Sequence, residues 1–122
     1  VHGYSRSFTF LFRAKNLDIN GFVVDFSSLK PLKERLKEQF DHTFLVNADD
    51  PLMTYWQKLH ELKALDLRIM ENVGMEFSSK LIWEWANNFL YEKDKGRTCC
   101  WKTESIENKS NKAYFEKIPD WY

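Results

Sequence analysis

The chain opens on an alternation of apolar and polar side chains. Residues 7–13, Ser-Phe-Thr-Phe-Leu-Phe-Arg, place three phenylalanines on one face and mostly polar groups on the other, which predicts a half-buried β-strand. Asn20-Gly21 then predicts a two-residue hairpin turn, because both positions of that turn need a positive φ. Phe22, Val24 and Phe26 alternate after the turn and predict the core face of a returning strand.

A helical period replaces the alternation further along. Apolar residues recur at helical spacing over 29–40, and Ser28 is placed to cap that helix. Asp50-Pro51 supplies a capping residue followed by a first-position proline, which predicts a second helix over about 51–63. A longer helix is predicted from 75 to about 90, where apolar residues again line one side.

The last third of the chain predicts a closing pair of strands, at 99–107 and 113–115, and residues 67–69 predict a brief extended segment. The predicted order along the whole chain is thus two strands, three helices and two strands. This order predicts an α+β fold with an antiparallel sheet and helices packed on one face. Such a sheet has open edges, and Phe-rich edge strands aggregate unless they are paired or covered. The sequence therefore predicts a homo-oligomer.

Composition narrows the class of protein. The 122 residues are 43% hydrophobic and 16% aromatic, which is typical of one globular domain. Eighteen basic and eighteen acidic residues cancel and are well mixed along the chain. This balance argues against a nucleic-acid or membrane-surface partner, and no apolar run is long enough for a bilayer span.

The two cysteines are direct neighbours, Cys99 and Cys100. Adjacent residues point to opposite sides of a strand, so they rarely form a disulfide or share a metal. We interpret them as the interior of a strand in a protein of a reducing compartment, which predicts a cytoplasmic location.

Candidate chemistry centres on Asp41-His42. A carboxylate beside an imidazole can orient the ring and raise its basicity, which favours proton transfer. An Asp-His dipeptide after a helix is common and by itself indicates little. The catalytic interpretation depends on other candidate residues in the chain, which are His2 near the start, Glu76 opening the long helix, and Glu107 near the end.

These residues resemble a known family. His2-Gly-Tyr-Ser, the segment Gly21-Phe-Val-Val-Asp-Phe-Ser-Ser-Leu-Lys30 and the segment Phe40-Asp-His-Thr-Phe-Leu45 are similar to blocks of the 6-pyruvoyl-tetrahydropterin synthase and 6-carboxytetrahydropterin synthase family. Val73-Gly-Met-Glu76 resembles the family's helix-opening Pro-Thr-x-Glu. Glu107, six residues before Ala113-Tyr114, resembles its strand-end glutamate.

The resemblance implies the tunnelling fold, in which sheets of several subunits close into a barrel and two rings stack into a hexamer. It implies a lyase acting on dihydroneopterin triphosphate or a related pterin, with elimination of triphosphate at a subunit interface. Asp41 and His42 would be catalytic and move protons, Glu107 would bind the amino-pyrimidinone edge of the pterin, and Glu76 would be a further substrate-binding residue.

The resemblance also implies zinc held by three histidines, with His2 as the ligand present in this chain. Tyr4 stands where the family has the second histidine of His-Gly-His, and tyrosine is a poor zinc ligand because its pKa is near ~10. The first histidine and the family's acid/base cysteine would precede Val1, together with an N-terminal strand. The stretch 47–72 is longer than in compact members, and its helix is placed to reshape the pocket mouth or an assembly interface.

Structural roles remain open for each candidate. Glu76 is favourable in a first helical turn because of the helix dipole, and His42 could bond to the last carbonyls of a helix. Glu104 replaces Glu107 as the anchor if the strand register shifts. The competing hypotheses are a pterin-pathway lyase, a family member that binds a pterin or purine-like ligand without this chemistry, and a structural oligomeric module.

Overall fold

The computed structural model describes residues 6–107 and 110–122, which form an α+β fold. In that part of the chain the strands are β1 (Ser7–Ala14), β2 (Phe44–Asn47), β3 (Leu67–Met70), β4 (Thr98–Ile106) and β5 (Lys112–Glu116). The α-helices are α1 (Lys30–Phe40), α2 (Met53–Glu61) and α3 (Met75–Asp94). Among these helices, none has the length and apolar character needed to cross a membrane.

The main sheet is antiparallel with strand order β1-β4-β5, and α3 packs across one of its faces. The first and last parts of the chain therefore meet at the centre of the fold, where Phe8 lies opposite Ser105 and Phe10 opposite Thr103. The three phenylalanines of β1 point toward the helices, as the alternation predicts. The predicted class, the antiparallel sheet and the helices on one face are confirmed.

A second, smaller sheet lies between α1 and α3 along the chain. β2 and β3 pair in parallel, Phe44 opposite Leu67, and α2 connects them. Trp56 of α2 packs on Phe44 with ring centroids 4.9 Å apart. The Asp50 carboxylate accepts from the Leu52 N–H over 2.7 Å in the turn before the helix, but it is not the predicted cap, because α2 begins at Met53 and Leu52 before it makes no side-chain capping bond. The sequence predicts the helix and the extended segment 67–69, but not the parallel pairing.

The predicted strand over Phe22–Phe26 is wrong. Gly21 has a φ of 79°, but Asn20 does not share the positive φ that the two-residue hairpin turn requires. The Asp18 carboxylate instead accepts from the N–H groups of Asn20 and Phe22, each over 2.9 Å, and the Phe22 bond is the main cause that lowers the pKa of Asp18. This side chain holds the backbone in a local turn rather than in a ladder with β1.

Arg97 also occupies backbone carbonyls of this loop. It donates to the Asn16 carbonyl over 2.8 Å and to the Val23 carbonyl over 2.9 Å. Asn16 and Val23 lie on the two sides of the predicted hairpin turn, so these bonds hold both sides of the loop. Val24 is buried, whereas Phe22 is 49% and Phe26 74% exposed, so the alternation ends in a groove beside β1 rather than in a buried strand face.

The cap before α1 also differs from the prediction. A short 3₁₀ turn at Phe26–Leu29 precedes α1, and Asp25 caps it by accepting from the Ser27 N–H over 3.0 Å. Ser28 donates its hydroxyl to the Asp25 carbonyl instead of accepting from the helix. The side-chain cap therefore belongs to the 3₁₀ turn, which starts the helical path earlier, and α1 itself has no side-chain cap, since Leu29 precedes it.

The contact between α3 and β4 includes a set of fully buried polar side chains among its apolar ones. The hydroxyls of Ser79 and Ser105 are 2.8 Å apart, and Thr103 donates its hydroxyl to the Ser79 carbonyl over 2.6 Å. Further along the helix, the Asn87 side chain accepts from the Cys100 N–H over 2.8 Å and donates to the Cys100 carbonyl over 2.9 Å. These small side chains allow the helix and sheet backbones to approach closely while leaving each of these polar groups with a partner.

The neighbouring cysteines lie within β4, as predicted, and both are free and fully buried. Burial raises the pKa of the Cys99 thiol, and it raises the pKa of the Cys100 thiol from 9.0 to about 12. Cys100 donates its thiol to the Lys102 carbonyl over 3.3 Å. Neither side chain has the exposure or the lowered pKa of a reactive cysteine.

We expect Asn87→Ala to lower the free energy of unfolding by about 1–3 kcal/mol, because it leaves the buried N–H and carbonyl of Cys100 without their partner. Asn88→Ala is the matched control, since Asn88 is the next residue of α3 and is exposed; it should change stability by less than about 0.5 kcal/mol. Urea denaturation of both variants measures the difference. Equal losses would contradict the buried contact.

We expect the Cys100 thiol to lower stability only at alkaline pH. The unfolded thiol ionises near its ordinary pKa of 9.0, while the folded thiol keeps its proton up to about 12. Unfolding therefore releases a proton in this window, and stability falls as the pH rises through it. The difference in free energy of unfolding between the wild type and Cys100→Ala should shrink by up to about 1.4 kcal/mol per pH unit above pH 9 and stay constant below. A difference that does not vary with pH would contradict the burial of this thiol.

Candidate functional site

An open cleft lies where β4 ends, β5 begins and α3 starts. It has a volume of about 440 Å³ and is lined by Arg6, residues 73–76, Glu107 and residues 110–113. Small-molecule sites typically occupy about 300–1,000 Å³, so the cleft has room for a bicyclic ring. It brings together Glu76 and Glu107, two of the residues that the sequence singles out.

The sheet ladder positions Glu107. Ile106 pairs with Lys112, and the Glu107 N–H donates to the Asn111 carbonyl over 2.9 Å, which extends the ladder by one residue beyond β4. The side chain is partly buried at this strand end. Glu104, the alternative anchor, lies in the middle of β4 between Thr9 and Tyr114 and does not line the cleft. The geometry therefore favours Glu107 over Glu104.

The start of α3 positions Glu76. Gly74 precedes the helix, and its N–H donates to the Asn72 side chain over 2.7 Å. A Cβ at Gly74 would lie 2.9 Å from that same Asn72 oxygen, so the turn requires the close approach that glycine allows. Glu76 then falls in the first helical turn, where the dipole stabilises a carboxylate, with its side chain exposed at the cleft.

Asp41 and His42 lie outside this cleft. Asp41 ends α1, and its N–H donates to the Lys37 carbonyl over 2.9 Å. His42 follows with a φ of 55°, and its Nε2 lies 3.5 Å from Asp41 Oδ1. The His42 side chain is 81% and the Asp41 side chain 45% exposed, so within one chain the pair faces solvent. The structure places the two residues side by side but does not bring them to Glu76 and Glu107.

A model of the 6-pyruvoyl tetrahydropterin synthase family matches residues 1–117 of the sequence. The chain belongs to this family. The crystal structure of an uncharacterized protein from Wolinella succinogenes has the same fold, with a TM-score of 0.76 and 17% sequence identity, covering 94% of this chain and 78% of that one. No curated protein sequence matches the chain.

The residues of this synthase-family chain that the structure describes do not fit a zinc site. Across 6–107 and 110–122, no three His, Cys, Asp or Glu side chains come together as metal ligands. His2 lies outside the described residues, as does Tyr4. His60 is exposed, and its Nδ1 accepts from the Leu67 N–H over 3.1 Å. We therefore derive no chemical step through zinc.

Sequence reasoning missed two residues around the cleft. Arg6 lines it and donates to the backbone and side chains at the start of α3. Asn47, at the end of β2, accepts from the Val73 N–H over 2.7 Å and so supports the turn before α3. Arg6 stands one residue before the alternating strand, which marks it as a strand-end residue, but its partners lie far along the sequence. No sequence pattern identifies Asn47.

Proposed function

We propose that this member of the synthase family is a pterin-pathway lyase-like enzyme that acts on dihydroneopterin triphosphate or a related pterin. The proposal rests on the observation that Glu76 and Glu107 line the same cleft, whose volume suits a bicyclic pterin ring. The two carboxylates come from separate elements, a helix start and a strand end, so neither local helix stability nor strand solvation accounts for both being there.

Glu107 is the proposed anchor of the pterin ring. A pterin presents an amino group and a ring N–H side by side, and one ionised carboxylate can accept both hydrogen bonds as a bidentate pair. Such a pair fixes the plane of the ring and its direction in the cleft. Glu76, at the start of α3, is the proposed second binding carboxylate. Arg6 and Lys112 add positive charge to the lining.

Asp41 and His42 are the proposed proton-transfer pair. Elimination of triphosphate removes a proton from a side-chain carbon of the substrate, and an imidazole oriented by a carboxylate is suited to accept it. The pair is exposed and absent from the cleft within one chain. We therefore propose that a second copy of the chain brings its Asp41 and His42 to the cleft of the first, which also shields them from water.

Assembly through strand edges supports this arrangement. β1 and β5 are the two edges of the main sheet, and edge strands with apolar surroundings are stable when another chain pairs with them. An apolar groove lies beside β1, lined by Phe10–Phe12 and residues 21–26. We propose a homo-oligomer, a trimer or a hexamer, whose interfaces pair strands across subunits.

One observation favours a second candidate function. The Asp-His pair is separated from the carboxylate cleft in the single chain, and the described residues do not form a metal site. A family member that binds a pterin or purine-like ligand without the elimination chemistry would also have Glu76 and Glu107 together. Binding measurements alone do not separate the two functions, so turnover must be measured as well.

We expect Glu107→Gln to weaken binding of a dihydropterin about ten- to a hundredfold. The amide keeps the size of the side chain but places an NH2 donor against a ligand donor, and an unpaired buried polar group costs roughly 1–3 kcal/mol. Isothermal titration calorimetry with a dihydropterin measures the effect.

Glu104→Gln is the matched control, because it is the same substitution on the same strand outside the cleft. It should leave the affinity unchanged. Stronger weakening by Glu104→Gln than by Glu107→Gln would mean that the anchor is misassigned. If neither change alters the affinity, the cleft is not the pterin site.

We expect two inactive variants to restore each other's activity in mixed oligomers. Glu107→Gln disables the anchor of a site, and His42→Gln disables its proton transfer. When the variants are co-expressed, sites that combine an intact Glu107 from one chain with an intact His42 from the next recover about a quarter of the wild-type rate, by random mixing of chains in a closed ring.

Light scattering of the wild type should show three or six chains per particle under the same conditions. A stable monomer at micromolar concentration would exclude both the assembly and the shared site. An oligomer whose mixed variants stay inactive would place both groups of residues in the same chain. An oligomer that binds the dihydropterin but never turns over substrate would favour the second candidate function.

A further inference from the structure

Arg6 lines the cleft at the point where β1 begins. It directly precedes β1, whose first residue, Ser7, pairs with Ile106, the residue before Glu107. Continuing that antiparallel register places Arg6 beside Glu107 at the end of β4. Its side chain reaches in the other direction, to the start of α3, so one residue connects both carboxylate-bearing elements.

The two hydrogen bonds of the guanidinium lie on either side of Glu76 along the sequence. One nitrogen donates to the Val73 carbonyl over 2.7 Å, and the other donates to the Ser78 hydroxyl over 2.7 Å. Ser78 is fully buried, so this bond ties Arg6 to the helix rather than to a mobile surface group. The first turn of α3, which carries Glu76, is therefore held to the beginning of β1.

Two asparagines hold the same turn from other directions. Asn47 accepts from the Val73 N–H, and Asn72 accepts from the Gly74 N–H, each over 2.7 Å. The Val73 peptide groups are thus fixed on one side by β2 and on the other by Arg6. Without Arg6, the turn would keep its link to β2 and lose its direct bond to the start of β1, so the nearest remaining contact with the main sheet would be at Ser79, one turn into the helix.

We infer that Arg6 is a positioning residue: it fixes the distance between Glu76 and Glu107 by bonding the start of α3 to the end of the main sheet. The consequence for ligand binding rests on the proposed function, whereas the effect on the helix start does not. Arginine suits this task, because its planar fork has donors for two separate acceptors at once. Lysine keeps the charge but acts from a single nitrogen, so it cannot reproduce both bonds with the same geometry.

The test compares Arg6→Lys with Ser78→Ala, each measured in two ways. Amide hydrogen exchange without ligand should show about tenfold faster exchange confined to residues 73–78, at the hydrogen-bonded amides of Val73, Gly74 and Ser78, because these open locally when the link to β1 is lost. Calorimetry with a dihydropterin should show about tenfold weaker binding for Arg6→Lys. The double variant should lose less than the product of the two single effects, since both substitutions remove the same bond.

Arg68→Lys is the matched control. Arg68 also donates to backbone carbonyls, of Glu38 and Leu67, each over 3.0 Å, but it lies at β3 and does not line the cleft. It should leave the exchange of residues 73–78 and the dihydropterin affinity unchanged. If Arg6→Lys and Ser78→Ala speed exchange across the whole chain and not only at residues 73–78, they lower global stability, and the local positioning role of Arg6 is refuted.

The two readouts separate this inference from the proposed function. If the wild type does not bind a dihydropterin, the proposed function fails, and the exchange of residues 73–78 alone decides the role of Arg6. If the wild type binds and Arg6→Lys changes neither its affinity nor this local exchange, Arg6 does not position the helix start. Faster local exchange with unchanged affinity would likewise refute its control of the spacing between the carboxylates.

Discussion

The buried contact between α3 and β4 determines where the cleft can form. Ser79 and Ser105 share a hydrogen bond of 2.8 Å between hydroxyls, and Thr103 donates to the Ser79 carbonyl. Because these side chains are small, the helix lies close to the sheet. Because they are polar and buried, each hydroxyl needs a hydrogen-bond partner at a specific position on the other element. A shift of the helix along the sheet would leave these buried hydroxyls without partners, at a cost of about 1–3 kcal/mol each. Here the register of α3 against β4 is fixed, and with it the positions of Glu76 and Glu107.

The same sheet is closed on one face and open at its edges. α3 covers the face that carries the β1 phenylalanines, while β1 and β5 have no neighbouring strand on their outer sides within the part of the chain described. The exposed Asp41 and His42 and the apolar groove beside β1 are further surfaces whose proposed roles need a second chain. A single chain thus has a formed core and carboxylate cleft, and the proposed reaction depends on surfaces that only assembly would bring together.

Patterns with a strong local cause were predictable from the sequence. The alternation of β1, the helical periods of α1 and α3, and the closing strands follow from side-chain periodicity, and the structure has each of them. The loop at 22–26 was not predictable, because its side chains do alternate as in a strand. The contacts that prevent a strand there are a side-chain bond to nearby amides and bonds from a residue far along the chain. Asp18 bonds to nearby amides, and Arg97, far along the chain, bonds to the Asn16 and Val23 carbonyls. Local sequence does not reveal such long-range bonds.

The site shows the same division between local and distant causes. Glu76 and Glu107 were identifiable because each stands at the end of a predicted element, where family blocks also place a glutamate. Their meeting, and the part of Arg6 in it, depends on the antiparallel pairing of β1 with β4 and on the packing of α3. A charged residue one position before a strand has no distinctive sequence pattern, yet the pairing of Ser7 with Ile106 brings Arg6 to the cleft that both carboxylates line.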